Sequence, residues 1–491
     1  MDVVWNLVKN NVYASVAVCV ATLFYFLFLR RNSSYPPGPY NLPIVGYLPF
    51  LGSEPHEKMI QLAEKYGSIF SLRLGMSDVV VLADYDSVKE AFNKSAAIDR
   101  PANLFHFIPS EMGLASVNGE DWTEQRRYSI KTMRDLGLGK SKWEDLVQDE
   151  VRSFVRFLES HEGRGVRLHD PLLFTISNNI LSLLFGAPLP QDDPRRVALD
   201  RGFRAFPDAF LQTGLQCVMP ALSEALAKLG LGDRKAMKDD LVAFNTFVRK
   251  EIDHQKESIK HEDNEGFVCK YLNYMKSNSD KHSSFNESSL VGNVQAYIFG
   301  GIDTTVTTLH WALLAMAAHP GLQRRVHDEL DRVLGAHEPR YADHDRLPYT
   351  MAAVLEVMRW RTLVAFNLLH ETSADVTVGK YVIPKGTVLL GLLEAIHRDP
   401  KYWPEPDIYR PERFLDDNGQ VIMKKESFVP FSTGKRRCVG ENVAMVEVFV
   451  YFAAVMRRFG VSSAGACLNL KGTVGIVLVP EDQELRFELR D

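Results

Sequence analysis

The 491-residue chain has few cysteines and no excess of basic residues. Its five cysteines are widely separated, with no CxxC pair and no zinc-ligand spacing; they are Cys19, Cys217, Cys269, Cys438 and Cys467. This pattern argues against a disulfide framework and favours a reducing compartment. The formal net charge of −5 at pH 7 argues against nucleic-acid binding, because domains with that role usually carry a strong basic excess.

The sequence also lacks repeats, clear domain boundaries and a nucleotide-binding fingerprint. No stretch rich in glycine and serine divides the chain, and no glycine-rich dinucleotide motif occurs. With 46% hydrophobic and 24% charged residues, the composition lies near globular averages, which excludes disordered, collagen-like and polytopic membrane proteins. We therefore expect one large folded unit that has no nucleotide-binding domain of its own.

A single long apolar run stands at the amino terminus. The residues Val12–Leu29 carry no charge and would form a helix about 27 Å long, enough to cross a thin bilayer. The run ends in Arg30-Arg31, and positive charges on this side place the following chain in the cytosol. A removable signal peptide would have a shorter apolar centre and a small-residue cleavage site. A buried core helix is the alternative interpretation.

This pattern divides the chain into three parts. We expect residues 1–31 to be a single-pass membrane anchor and residues 32–47 to be a stiff, proline-rich hinge. Residues 48–491 would then form one cytosolic domain.

Helical periodicity dominates this domain, so the predicted fold class is mainly α with a minor β portion. The predicted helices are 56–66, Trp143–Glu159, Lys238–Ile259, Asn293–Ala318, Gln323–Leu334, Met351–Trp360 and Glu441–Phe459. Strands are predicted at Ile69–Leu74, at Val79–Ala83 and within Lys380–Leu393, with an apolar strand at Leu389–Ile396. The polar stretch His254–Ser288 is predicted to contain an exposed loop.

Near the carboxyl end, a segment punctuated by glycines presents one cysteine. Phe431–Gly440 reads FSTGKRRCVG and leads into an apolar helix. The positive end of that helix would stabilise a thiolate of Cys438. Gly434 and Gly440 remove side-chain bulk where a flat cofactor would press on the backbone, and Arg436 offers a positive charge to a carboxylate. An inert cysteine in a loop is hard to reconcile with this spacing.

Two further motifs lie on predicted helices. In Gly300–Thr305, two mid-helix glycines cost about 1 kcal/mol each relative to alanine, and the acid Asp303 lies beside the alcohol Thr304. Taken alone, the acid could be solvated and the hydroxyl could bond to the preceding turn. Glu356 and Arg359 are spaced i and i+3, on one helix face.

Together these motifs resemble the signatures of the cytochrome P450 family. Phe431–Gly440 matches the haem-binding pattern FxxGxRxCxG at every specified position, and Gly300–Thr305 is similar to [AG]Gx[DE]T[TS]. Glu356–Arg359 and Pro411–Phe414 resemble the ExxR and PERF-like segments. The resemblance runs from Pro36 to about residue 480, and the anchor and hinge are similar to the microsomal animal type.

The resemblance implies a cytochrome P450 fold behind the anchor and a haem b as cofactor. The thiolate of Cys438 would ligate the haem iron and push electron density onto it. Asp303 and Thr304 would relay protons to bound dioxygen. Glu356, Arg359 and Arg413 would form a buried network with a structural role.

The resemblance also implies donors for the haem propionates: Trp122 and Arg126 of a WxxxR-like helix, His370, and Arg436. Several donors are expected, because burying two carboxylates without charge-assisted partners is costly. Taken singly, Trp122 is also typical of a core residue, and His370 could be incidental.

The sequence departs from the family pattern beside the expected substrate space. Thr362, Ala365 and Leu369 stand where close relatives often have prolines, so the resemblance does not imply the shape of this loop. Glu394 lies in an otherwise apolar predicted strand without an identified partner. An apolar set is expected to line the pocket: Phe105, Phe107, Ile108, Phe206, Phe210, Phe299, Leu363, Val364, Phe366 and Ile476.

The function implied is that of a monooxygenase, which inserts one oxygen atom of O2 into a lipophilic substrate such as a xenobiotic, a steroid or a fatty acid. Electrons would come from NADPH through the membrane-bound NADPH-cytochrome P450 reductase, with cytochrome b5 as a further candidate partner, at the cytosolic face of the endoplasmic reticulum. One alternative is a haem-thiolate isomerase or dehydratase, which often lacks the acid–alcohol pair. The other is a non-catalytic haem carrier or sensor, which would need neither the proton relay nor a reductase.

Overall fold

The computed structural model describes residues 35–102, 104, 113–137, 141–206, 234–258, 266–278, 284–335, 337–465 and 467–490, together with a few isolated residues. The anchor predicted at residues 1–31 lies outside the described residues, apart from Ala14, Val16 and Ala17. Within the described part of the chain, no helix combines the length and hydrophobicity needed to cross a bilayer. The described hinge residues, 35–47, contain no helix.

The described residues confirm a mainly helical domain with a minor β portion. The α-helices are α1 (Pro55–Tyr66), α2 (Tyr85–Phe92), α3 (Gly119–Gly137), α4 (Ser141–Glu159), α5 (His169–Phe185), α6 (Arg234–Ser258), α7 (Phe267–Ser277), α8 (Glu287–Ala318), α9 (Pro320–Leu334), α10 (Pro348–Trp360), α11 (Leu393–His397) and α12 (Glu441–Arg458). The strands are β1 (Ile69–Leu74), β2 (Ser77–Leu82), β3 (Gly165–Val166), β4 (His370–Glu371), β5 (Val376–Val378), β6 (Tyr381–Ile383), β7 (Val388–Gly391), β8 (Phe459–Ser463), β9 (Gly472–Val474), β10 (Leu478–Pro480) and β11 (Leu485–Leu489).

Helix α8 runs through the centre of the domain and is about 48 Å long. The Asn286 side chain caps its first turn by accepting a hydrogen bond from the Ser289 amide at 2.9 Å. The helix ends at His319, directly before Pro320, which cannot continue it. The helix begins at Glu287, six residues before the predicted start at Asn293. Polar residues in its first turn hide the apolar period there. Helices α5, α10 and α12 pack against it.

A mixed sheet in the order β1-β2-β7-β4 lies beside the helical core. Strand β2 pairs parallel to β7, and β4 pairs antiparallel to β7, with His370 opposite Leu389. A second sheet, β3-β11-β8, is antiparallel throughout, and β5-β6 and β10-β9 are two-stranded. The first sheet matters for the site because it fixes the position of His370.

One sequence prediction is wrong in part. The strand predicted at Leu389–Ile396 ends at Gly391, and Glu394 lies on the short helix α11. Leu393 and Ile396 are both buried at helical spacing, but the apolar residues before them make the run look like one strand. The stretch 254–288 includes α7, and the exposed loop predicted within this stretch stays a prediction, because residues 259–265 and 279–283 lie outside the described residues.

Candidate active site

The loop that presents Cys438 is held against the end of α2. Gly434 has a φ of +75°, and a Cβ there would lie 2.3 Å from the Phe92 carbonyl oxygen, so only glycine fits. The Lys435 amide donates to the same oxygen at 3.0 Å. The Cys438 amide donates to the Phe431 carbonyl at 3.0 Å, which closes the loop just before α12 begins. Gly434 therefore permits the close approach that fixes the cysteine.

The Cys438 thiol is accessible and yet surrounded by protein. Its side chain is exposed, but burial within the protein raises the pKa of the thiol. This combination is expected for a sulfur in a recess that is open to solvent and enclosed by protein on its other sides. A Gly440 backbone N–H and the Arg126 charge act in the opposite direction, as the sequence predicts for the helix start, but desolvation is the larger effect. A coordinated metal ion overrides it, because a coordinating thiol is deprotonated outright.

Arginine side chains cluster close to this loop. Arg126 donates to the Arg437 carbonyl at 2.6 Å. Arg436 is buried and donates through Nη2 to the Val117 carbonyl at 2.7 Å and to Asn118 at 2.8 Å. Its Nε and Nη1 atoms are buried without a hydrogen-bond partner among the described residues. Two donors on one guanidinium thus remain available to an anion.

Trp122 and His370 complete the group of predicted propionate donors. The Trp122 ring, which is itself buried, lies 4.5 Å from the Arg436 guanidinium and 5.7 Å from that of Arg126. His370 Nδ1 lies 3.1 Å from the Ala97 carbonyl, to which it donates as the protonated nitrogen. Burial, followed by the charges of Arg100 and Arg436, lowers the pKa of His370 well below its ordinary value.

Arg100 is a site residue that the sequence analysis missed. It is buried, and Nη1 donates to the Leu368 and Leu369 carbonyls at 2.6 and 2.8 Å. Burial and the charges of Arg436 and Arg126 lower its pKa. No sequence signal distinguishes an arginine between Asp99 and Pro101 from a surface residue.

These arginines provide a test of whether the site fits a haem. Among the described residues, none of Arg100, Arg126 and Arg436 forms an ion pair with a carboxylate of the chain. Burying like charges together is costly unless an anion neutralises them. A group with two carboxylates and a metal ion, bound between this cluster and the Cys438 sulfur, meets that requirement. The residues present fit a haem.

The two glycines of the α8 motif have different environments. Gly300 is exposed within an otherwise buried helix, and a Cβ there would have no other atom within 4 Å. A Cβ on Gly301 would lie 2.9 Å from the Ile180 side chain of α5. Gly300 therefore borders open space inside the domain, while Gly301 lets two helices approach closely.

Asp303 and Thr304 are adjacent in sequence, but their side chains have different surroundings. Thr304 donates its hydroxyl to the Gly300 carbonyl at 2.7 Å. Burial raises the pKa of Asp303, and the nearest charge acting on this carboxyl is that of His169. Among the described residues, no hydrogen bond joins the acid to the alcohol. The structure places both side chains on the helix that borders the cavity.

The buried network predicted from the ExxR motif is present. Arg359 donates to both carboxylate oxygens of Glu356, at 2.7 and 2.8 Å, and Arg413 donates to the same group at 3.2 Å. The side chains of Glu356 and Arg359 have no exposed surface. The remaining donors of the arginines bind backbone carbonyls, including those of His397 and Pro404.

Thr362, one of the departures from the family pattern, extends this network. The Val429 amide donates to His397 Nε2 at 2.9 Å, so the ring proton lies on Nδ1, which is 2.9 Å from Thr362 Oγ1. Thr362 in turn donates to the Arg359 carbonyl at 3.1 Å. Burial lowers the pKa of His397 to about 3, which keeps the ring neutral. The chain of bonds connects the arginine network to the residues just before the cysteine loop.

Comparison with known proteins decides the family. A cytochrome P450 family model matches residues 36–487. The chain belongs to the cytochrome P450 family. Cytochrome P450 2J3 of Rattus norvegicus is 33% identical over 466 residues, covering 94% of this chain and 92% of its own length. Cytochrome P450 2J2 of Homo sapiens is 33% identical over 467 residues, covering 94% and 92%. Cytochrome P450 18a1 of Drosophila melanogaster is 33% identical over 484 residues, covering 94% and 88%.

Membership of this family establishes the cofactor and the general reaction. The P450 carries haem b with a cysteine thiolate as axial ligand, and it is a haem-thiolate monooxygenase of the microsomal animal type. The resemblance inferred from the sequence is therefore confirmed.

Proposed function

We propose that this P450 oxygenates a lipophilic substrate at the cytosolic face of the endoplasmic reticulum, with electrons from NADPH through NADPH-cytochrome P450 reductase. The main support is the group of arginines around Arg436, which lacks a carboxylate partner among the described residues and lies near an accessible cysteine. That arrangement fits a haem, and the family supplies the reaction class.

The chain's own residues have distinct roles in this proposal. Cys438 would supply the thiolate ligand of the haem iron. Arg436, Arg126, Trp122, Arg100 and His370 would hold the haem carboxylates. A haem carboxylate beside His370 would raise the pKa of its ring from this lowered position, since a nearby negative charge favours the protonated imidazole. When bound, the haem supplies the activation of dioxygen.

Asp303 and Thr304 are proposed to deliver protons into the cavity. The Thr304 hydroxyl donates its hydrogen to the Gly300 carbonyl, so its proton reaches the cavity only after this hydrogen bond breaks and the hydroxyl rotates. The absence of a side chain on Gly300 leaves space for that rotation. Asp303, whose pKa is raised by burial, holds its proton more readily than an exposed aspartate and can reload the hydroxyl.

A cavity of about 330 Å³ supports entry of the substrate from the membrane side. It lies between the β1–β2 hairpin and β4, with Tyr35 of the hinge on one wall and Pro101 and Leu369 on another. It thus extends from the hinge to residues adjacent to Arg100.

In the predicted pocket lining, Phe206 stacks on Phe299 with ring centroids 3.9 Å apart. Phe105, Phe107, Ile108 and Phe210 lie outside the described residues.

Exposed basic residues support docking of an electron donor on the cysteine side. Lys435 and Arg437 are exposed on the loop that carries Cys438. Arg126 of α3 contacts the Arg437 carbonyl, and the exposed Arg127 and Lys131 follow it on the same helix. A positive surface attracts an acidic partner and speeds its association. We assign this surface to the reductase, with cytochrome b5 as a competing donor.

A carbon monoxide difference spectrum and an NADPH turnover assay test the proposal together. The reduced protein should show the strongly red-shifted Soret band of thiolate-ligated haem, and Cys438→Ser should lose it, whereas Cys467→Ser, an exposed cysteine elsewhere, should keep it. With reductase and a lipophilic substrate, NADPH use should yield a monooxygenated product. A Soret band at the imidazole position refutes the Cys438 assignment. Rearrangement of a peroxide without NADPH use would establish the isomerase alternative instead.

A further inference from the structure

Glu394, for which the sequence offers no partner, lies in a small buried group far along the chain from Cys438. It stands on α11 and faces His56 and Glu57 in the first turn of α1. The three side chains each offer one ligand atom, and these atoms lie within 4.8 Å of one another. The His56 side chain is only 9% exposed and that of Glu394 only 12%.

The hydrogen-bonding capacity of this group is not satisfied. His56 Nε2 lies 3.9 Å from Glu57 Oε1 and 3.9 Å from Glu394 Oε2, beyond hydrogen-bonding distance from both. His56 Nδ1 and Glu394 Oε2 are buried without a partner among the described residues. A buried imidazole and a buried carboxylate oxygen are costly to leave unpaired. Glu394 Oε2 faces His56 Nε2 across 3.9 Å, so an ion between these two atoms would pair the carboxylate oxygen.

The surrounding charges allow that occupant to be a cation. Glu57 Oε1 accepts from Arg398 at 2.5 Å, and Arg398 also lies 3.5 Å from Glu394 Oε1, which leaves Oε2 free. Three carboxyl groups, those of Glu54, Glu57 and Glu394, lie at this site against the two guanidiniums of Arg361 and Arg398. The local balance is therefore negative when Glu394 is ionised.

We propose that His56, Glu57 and Glu394 form a binding site for a divalent transition-metal cation of the zinc type. One imidazole and two carboxylates are a ligand set that suits such ions, with water completing the coordination. Metal–ligand bonds of about 2.0–2.1 Å place neighbouring tetrahedral ligands about 3.4 Å apart, so the 3.9 Å separations need to shorten by only about 0.5 Å. The ion would connect α1 to α11.

The protonation states agree with this assignment. Burial lowers the pKa of His56, and a neutral imidazole is the form that binds metals. Burial raises the pKa of Glu394 to about 7, so this carboxyl competes for protons near neutral pH.

Zinc titration of the haem-loaded protein tests the proposal. Calorimetry with ZnCl2 at pH 7.5 is performed in a Cys467→Ser background, which removes an exposed thiol. One site is expected, and His56→Ala and Glu394→Gln should each weaken it by at least about tenfold. His169→Ala is the matched control, since that histidine is exposed beside Asp170 at 3.1 Å and should leave the affinity unchanged.

The Soret spectrum of each variant shows whether it retains the native fold, and Glu394→Gln keeps the side-chain shape if His56→Ala does not fold. The absence of zinc binding overturns the proposal, because a neutral, protonated Glu394 would then explain how its carboxyl is buried without a cation. Equal affinity in the background protein and in Glu394→Gln also overturns it, because the ion would then lie elsewhere. Neither result bears on the monooxygenase function, which is read from the spectrum and from turnover.

Discussion

At the scale of single residues, the acid–alcohol pair shows that a motif identifies residues without giving the hydrogen bonds that they form. The sequence motif identifies Asp303 and Thr304, but it does not say that the Thr304 hydroxyl donates to the Gly300 carbonyl at 2.7 Å. The hydroxyl donates a proton to the cavity only when this hydrogen bond breaks and the O–H group rotates. The open space at Gly300 leaves room for that movement.

Replacing Thr304 with alanine should therefore leave haem binding intact and divert reducing equivalents to hydrogen peroxide. Since a positioned proton donor contributes about 10²–10⁴-fold to a proton-transfer step, product formed per NADPH should fall by about tenfold or more. Thr304→Ser keeps the hydroxyl and should restore most of the coupling. Peroxide release and product yield are measured together, and unchanged coupling in Thr304→Ala removes this residue from the proton relay.

Arg100 illustrates the opposite case at the same scale. Its function depends entirely on neighbours distant in sequence: Arg436, Arg126 and the carbonyls of Leu368 and Leu369. Composition and spacing carry no information on that juxtaposition. Only the folded chain shows a positive cluster that needs an anion.

At the scale of elements, α12 meets α5 and α8 through a buried acid. Glu447 has no exposed surface, and burial raises its pKa to about 8. Asn179 and Thr305 lie beside the carboxyl, although neither forms a hydrogen bond of good geometry with it, and Asn179 Oδ1 has no partner among the described residues. A protonated Glu447 can donate to that oxygen, so the neutral acid suits this helix contact.

The pH dependence of stability follows from this pKa. Between about pH 4.5 and pH 8 the unfolded chain releases the Glu447 proton while the folded chain keeps it, so the wild type loses stability as pH rises, at up to about 1.4 kcal/mol per pH unit. Glu447→Gln stays neutral and should gain over the wild type by up to a few kcal/mol at pH 8, with little difference at pH 5. Thermal unfolding at both pH values measures this.

An exposed carboxyl gives the control for that comparison. Glu488→Gln on β11 should show no such pH-dependent gain. If Glu447→Gln loses stability equally at pH 5 and pH 8, the carboxyl is ionised in the native state and the explanation is wrong.

At the scale of the whole molecule, the hinge side of the domain carries apolar surface. The exposed apolar residues close to the hinge and to the tip of the β1–β2 hairpin are Tyr40, Leu42, Ile44, Phe50 and Met76. Exposed apolar surface of this kind is typical of contact with a membrane or a partner. It supports the orientation in which the hinge side of the domain faces the bilayer.

Deleting residues 1–31 should accordingly release much of the protein into the soluble fraction while its carbon monoxide spectrum stays unchanged. The exposed apolar residues should keep a remainder bound to membranes, and high salt should not remove that remainder, because the contact is hydrophobic rather than ionic. Fractionation and spectra of the truncated and full-length chains measure this. Loss of haem on truncation would show that the segment belongs to the core.

The sequence by itself determined the family and most of the helices, and it predicted Cys438 as the haem ligand. Cys438, Gly434 and the Glu356–Arg359 pair have spacings that few other structures need, and long amphipathic helices have a strong period. The predicted secondary structure is wrong at Glu394, because a strand and a short helix there form one uninterrupted apolar run.

The tertiary structure alone decided how separated residues cooperate. It brought Arg100 to Arg436, connected Thr362 through His397 to the residues before the cysteine loop, and placed Glu394 beside His56. Charge repulsion, desolvation and hydrogen-bond satisfaction depend on distances in space. Those distances are set only when the chain packs.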